Sequence, residues 1–156
     1  MLGLALVALA GCSRGEPART ADTPAAVALA PARPTADGCP LTGAWRPCSV
    51  VDRLEHAGLA PIVRDSVRHP FLSVAGAVYA VGRGELQLFL YPDSAARARD
   101  FATFDTVRVQ PRGAAVSWRA SASLVQSNNL AAILLSDNAT QVERVRLALT
   151  AGLPER

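Results

Sequence analysis

Strict alternation of apolar and polar positions marks two stretches of the chain. Leu86, Leu88 and Leu90 fall on one side of a period-two pattern, and Glu85, Gln87, Phe89 and Tyr91 fall on the other. That is the signature of a strand with one firmly apolar face and one mixed face, and it predicts a sheet covered mainly on one side. Residues 73–81 supply the preceding arm, and Gly82-Arg83-Gly84 between them is a turn rich in residues that tolerate positive φ. Residues 121–126 and 130–135 repeat the arrangement around Asn128-Asn129. The other period, 3.6, appears three times. Val50, Leu54 and Ala57 follow Ser49 and Asp52, which are spaced as a capping box, and Gly58 offers a left-handed stop. Ala95, Ala98, Phe101 and Ala102 follow the acidic cap of Pro92-Asp93-Ser94. Val142, Val145 and Leu149 follow Ser136-Asp137-Asn138, with Gly152 and Pro154 closing the helix.

Residues 59–64 predict a further strand, placed at an edge by Pro61. The stretch 105–119 reads as a loop with a short strand. Leu86, Leu90, Asp93 and Ala95 match Leu130, Leu134, Asp137 and Ala139 at a constant offset of about 44 residues, so both halves run hairpin, acidic cap, helix. Together these elements predict an α+β two-layer sandwich. Its antiparallel sheet has four or five strands, with about three helices mainly on one face.

Composition bounds the rest. Half the residues are apolar but only 5% are aromatic, which predicts a core of Val, Leu, Ile and Ala. All 16 basic side chains are arginine, so arginine is the default cation here and a cluster of it is weaker evidence of a phosphate site. A net charge of +3 and few stacking aromatics speak against nucleic acid as a partner.

At the amino terminus Leu2 to Ala10 is an apolar run the length of a signal-peptide core and too short to span a membrane. It ends in Leu9-Ala10-Gly11-Cys12. This resembles the lipobox of bacterial lipoprotein precursors: an apolar residue, two small residues, then the cysteine that carries lipid. No basic residue lies between Met1 and Ser13, which departs from such leaders and fits a true start further upstream. The resemblance implies cleavage of residues 1–11, lipidation of Cys12, and membrane lipid as a partner through it. The implied location is the cell envelope, and Ser13 after the cysteine leans towards the outer membrane, facing the periplasm, in a cell with two membranes. Residues 12–38, rich in Ala and Pro, then read as a disordered tether. Residues 39–156 read as one domain.

With Cys12 carrying lipid, Cys39 and Cys48 remain as a pair in an oxidising compartment. Closing a loop of about ten residues contributes roughly 2.5–3 kcal/mol on the chain-entropy model. The spacing suits neither Cys-x-x-Cys redox chemistry nor a metal site, and no cofactor is expected. His56, beside Glu55 on the first helix, and His69, near Asp65 in a loop, are the two conceivable general bases. Both are more simply solvated or structural histidines. Trp45 lies inside the Cys39–Cys48 loop, placed to pack over the bridge. Trp118 and Arg119, with Arg108 and Arg112 nearby, form a possible binding surface for an envelope protein or glycan, against the plainer reading of Trp118 as a packing residue. The leading expectation is a tethered domain that binds another envelope component without catalysis. The alternatives are a small periplasmic hydrolase using His56 or His69 with a carboxylate, and a carrier of a small ligand. Oligomeric state is left open.

Overall fold

A computed structural model describes residues 39–40 and 42–152. The expected cleavage site, Cys12 and the tether lie outside the described residues. In chain order the elements are α1 (Pro47–His56), β1 (Pro61–Val67), β2 (Gly76–Val81), β3 (Gly84–Leu90) and α2 (Ser94–Phe101). Then come β4 (Phe104–Asp105), β5 (Gln110–Pro111), β6 (Ala122–Ser127), β7 (Leu130–Leu135) and α3 (Ala139–Thr150).

The fold is α+β, as the periodicities predict. Five strands form an antiparallel sheet in the order β1-β2-β3-β7-β6, and β4 and β5 form a separate two-stranded ribbon. Both hairpins close through two-residue turns, Gly82-Arg83 between Val81 and Gly84, and Asn128-Asn129 between Ser127 and Leu130. Gly82 and Asn128 take the positive φ these turns need, +54° and +48°. β1 is an edge strand, and it carries both Pro61 and a register shift between Val63 and Asp65, two devices that blunt an open edge. Even so, Ile62 and Val63 remain exposed there.

The central pairing, β3 against β7, sets the two faces of the sheet. Leu86, Leu88, Leu130, Ala132 and Leu134 point to one face, where they pack with Val50 and Leu54 of α1 and Val145, Ala148 and Leu149 of α3. Phe89, Tyr91, Ala131, Ile133 and Leu135 point to the other, where they meet Phe101 of α2, Phe104 and Val109. The expectation of a sheet covered mainly on one side is therefore corrected. α1 and α3 share one face, and α2 with the β4–β5 ribbon covers the second. The core chemistry differs with the face. The first is mostly aliphatic, as composition suggests, while all four phenylalanines gather on the second. The similarity between the halves stops at the same place, since α2 follows β3 onto one face and α3 follows β7 onto the other.

Two local expectations shift. Helix α1 starts earlier than the Ser49 cap implies, with Arg46 as N-cap and Pro47 at the first helical position, where its fixed φ and missing N–H cost nothing. Ser49 sits at the third helical position instead. Its hydroxyl accepts from Arg46 N at 2.9 Å and donates to Arg46 O at 2.9 Å. In α2 Phe101 is buried as expected, but Ala95, Ala98 and Ala102 of the same expected stripe are exposed, and Ala96 packs beside Phe101 in their place. The reason is Asp100, whose Oδ2 accepts from Ser73 N, Ser73 Oγ and Tyr91 Oη at 2.7–3.0 Å and fixes the roll of the helix. The caps of α2 and α3 are as expected: Asp93 accepts from Ala96 N, and Asn138 from Gln141 N.

Cys39 and Cys48 form the expected disulfide, with Cα atoms 5.6 Å apart. Trp45 within that loop enters the core, 2% exposed, and its indole N–H donates to Ser127 Oγ at 3.0 Å. The buried Asn129 amide holds this segment. Its Oδ1 accepts from Trp45 N at 2.7 Å, and its Nδ2 donates to Trp45 O at 3.1 Å and Tyr91 O at 3.0 Å. Asn129→Ala strands these backbone groups and is expected to cost about 2–4 kcal/mol in urea unfolding, whereas Asn128→Gly, at a turn position suited to glycine, loses one part-buried bond to Gly43 O and should cost about 1 kcal/mol. At Gly76 a Cβ would lie 2.5 Å from the Phe89 ring. Gly76→Ala should lower the unfolding free energy by about 1–3 kcal/mol, the usual cost of overpacking, without changing the denaturant slope.

Candidate functional site

Trp118 lies on the aromatic face of the sheet, in the irregular segment between β5 and β6. It is half-buried, and its Nε1–H donates to Val109 O at 3.0 Å. Val109 is 1% exposed and holds φ at +52°, unusual for a β-branched residue. The turn around it is fixed by Asp105, whose Oδ1 accepts from Val107 N and Arg108 N, both at 3.0 Å. These bonds, with the Arg108 and Arg112 charges, hold the Asp105 carboxyl below the ordinary carboxylate range. The structure thus gathers Arg108, Arg112 and Trp118 around one ribbon. It also adds Val107, 89% exposed at the tip of that turn. Sequence pattern gave no sign of Val107 beyond a lone apolar residue in a stretch without periodicity.

Arg119 turns away from this ribbon and pairs with Glu85 of β3. Glu85 Oε1 accepts from Gln87 Nε2 at 2.9 Å, and Gln87 Oε1 meets His69 Nε2 at 2.7 Å. With the Gln87 amide nitrogen engaged by Glu85, its oxygen faces the imidazole, so Nε2 carries the hydrogen and donates. The imidazole stacks on Phe71 at 4.9 Å and meets Trp118 edge-on at 5.4 Å. His69, Phe71 and Trp118 thus form a half-buried aromatic cluster, tied to Arg119 through the Gln87–Glu85 relay. Sequence spacing gave no hint of this, because the partners lie 18 and 49 positions from His69 in Gln87 and Trp118.

His56 is exposed at the end of α1, and its Nδ1 donates to Asp52 O of its own helix at 2.7 Å. Among the described residues, neither histidine bonds a carboxylate directly. Neither lines a cleft of about 610 Å³ at the end of the sheet, between the β2–β3 turn and the start of α3. No three His, Cys, Asp or Glu side chains converge as a metal site among the described residues, and no described helix is long and apolar enough to cross a membrane. The sequence matches no family model, and neither a curated protein nor a solved structure shows significant similarity to it.

The depressed Asp105 pKa gives a pH signature. A carboxyl held below its unfolded value of 3.8 stabilises the fold above that value, and the contribution disappears as pH falls through the folded pKa. Asp105→Ala should therefore be less stable than the parent at neutral pH, and urea titrations should show the difference shrinking between about pH 5 and about pH 2.

Proposed function

We propose that this chain is a bacterial envelope lipoprotein, cut before Cys12 and lipidated there, whose domain binds another envelope component without catalysis. The observation that carries this reading is the Cys39–Cys48 disulfide. Such a bond belongs to an oxidising compartment, and it leaves Cys12 as the third and unpaired cysteine of the sequence. The lipobox resemblance gives that cysteine a use, and residues 12–38 supply the tether. A diacylglyceryl group with a further acyl chain anchors stably, where a single chain holds only marginally.

The binding surface in this reading is built on Trp118, with Arg119 next to it in the chain and Arg108, Arg112 and Val107 on the ribbon segment whose Val109 accepts the indole bond. Half-buried tryptophan beside arginine is the composition of interaction hot spots, and the His69 and Phe71 rings hold the indole rigid beforehand. The partner is an envelope protein or glycan. The hydrolase alternative has little to build on, since His56 and His69 bond a carbonyl and an amide rather than a carboxylate.

Two measurements test the proposal. Cys12→Ala should move the protein from the membrane fraction to the soluble one, and continued membrane association would overturn the anchor. In crosslinking pull-downs from intact cells, Trp118→Ala should lose about ten-fold of the captured partner, the scale of one hot-spot residue. Capture unchanged by Trp118→Ala, with the fold intact by circular dichroism, would move the interface elsewhere.

A further inference from the structure

The cleft at the end of the sheet does not include Trp118 or Arg119, and its chemistry is one-sided. Its apolar lining comes from Leu59, Ala120 and Leu135. Its acceptors are mostly spent within the protein. Gln141 Oε1 accepts from Ser136 Oγ at 2.6 Å, and Ser136 Oγ accepts in turn from Asn138 N at 3.1 Å. Asn138 Oδ1 accepts from Gln141 N at 3.1 Å. Asp137 Oδ1 accepts from both Ser121 N and Ser121 Oγ, which holds its carboxyl below the ordinary range and keeps it ionised. The Gln141 amide nitrogen is also engaged, on Val81 O.

Four of the lining residues keep donors open. Among the described residues, the Arg83 guanidinium, the Asn138 amide nitrogen and the Thr140 hydroxyl make no hydrogen bond. Arg144 engages one nitrogen, on Ala57 O at 2.7 Å, and keeps its others. The lining carries two guanidiniums and one carboxylate. In a chain whose default cation is arginine, two arginines by themselves say little. A cleft whose side-chain acceptors are mostly engaged, while Arg83, Asn138, Thr140 and part of Arg144 keep donors open, says more, because a ligand taking those donors must bring acceptors of its own.

We propose that this cleft binds an anionic group, carboxylate or phosphate, carried on a short apolar body. The anion takes the Arg83 and Arg144 guanidiniums with the Asn138 and Thr140 donors. The apolar body lies against Leu59, Ala120 and Leu135. A volume of about 610 Å³ suits a small molecule or the end of a chain rather than a folded partner. The site is separate from the Trp118 surface, so either can fail without the other.

The test uses the full chain, carrying Cys12→Ala so that no lipid is attached, with amide chemical shifts followed by NMR. N-acetyl-L-leucine, its uncharged amide N-acetyl-L-leucinamide, and hexyl phosphate are titrated in separate arms. At least one of the two anions should shift the amides of Gly82, Arg83, Asn138 and Thr140 saturably, and the arm that does so identifies the anion. The uncharged amide and the Arg83→Glu variant should each bind about ten-fold more weakly or worse, the loss expected for a charge-assisted contact. Arg83 lies in an exposed turn, so unchanged shifts at Leu86 and Leu134 will show that the variant keeps its fold. Failure of both anions to shift these amides, equal binding of the uncharged amide, or unaltered affinity in Arg83→Glu would each overturn the proposal.

Discussion

The side chain of Asn129 ties the segment before α1 to the end of the β3–β7 ladder, two parts of the chain that no strand pairing brings together. It occupies the second position of a two-residue hairpin turn, yet it is 5% exposed and spends its amide on the backbone of Trp45 and Tyr91. Only a primary amide fits this place, since one oxygen must accept while one nitrogen donates twice. The neighbouring bonds depend on it. Once Trp45 is held against the turn, its indole reaches Ser127 and enters the aliphatic core, and Asn128 Nδ2 donates to Gly43 O at 2.9 Å. The residues before α1 are thereby fixed to a hairpin more than eighty positions away. A buried amide without partners would cost on the order of 1–3 kcal/mol per group, so the arrangement is specific as well as stabilising.

The sheet that this amide edges has two differently built faces, and the difference separates structure from candidate function. Leucine, valine and alanine, with Trp45 and Tyr79 and two helices, fill the first face. The second is aromatic, covered by a short helix and a two-stranded ribbon, and the irregular segment between β5 and β6 is tied down by the Trp118 indole N–H, the Arg119–Glu85 ion pair and ring contacts. Such a cover leaves half-buried rings and arginines at the surface. Regular secondary structure covers the aliphatic face more completely.

The hairpins and the caps of α2 and α3 were legible because their signals are local. Alternating leucines, Gly-Arg-Gly, Asn-Asn, and Asp or Asn before a helix each act within a few residues. What sequence missed acts across distance. Ala95, Ala98 and Ala102 form a plausible apolar stripe, but three hydrogen bonds to Asp100 outweigh the small burial three alanines offer. Glu85, Gln87, Phe89 and Tyr91 read as a mixed, partly wet face, because alternation cannot show that Gln87 will be satisfied by His69 and Glu85 once buried. The stretch 105–119 had no period to read. Its order comes from Asp105 bonding its own turn and from Trp118 reaching back to Val109. For the candidate sites, Trp118 and its arginines could be named from composition, but the His69–Gln87–Glu85–Arg119 relay and the cleft at the start of α3 could not.

The disulfide and the Asn129 clasp act on the same segment from opposite ends. The chain enters the described domain at Cys39, and nine positions later Cys48 lies inside α1. Trp45, between them, is bonded to the β6–β7 turn. A pull on the amino-terminal side of Cys39 therefore reaches α1 through the bridge without first unwinding the intervening loop. From α1 it passes to the sheet through Val50 and Leu54 in the aliphatic core, and from Trp45 directly through Asn129. For a domain held by a tether at its amino terminus, that is where reinforcement has most effect, because an unbridged entry segment would open first and carry Trp45 out of the core with it. A cysteine pair, a tryptophan and an asparagine, read separately, are ordinary packing features. Taken together, they close the end of the domain at which the proposed anchor would act.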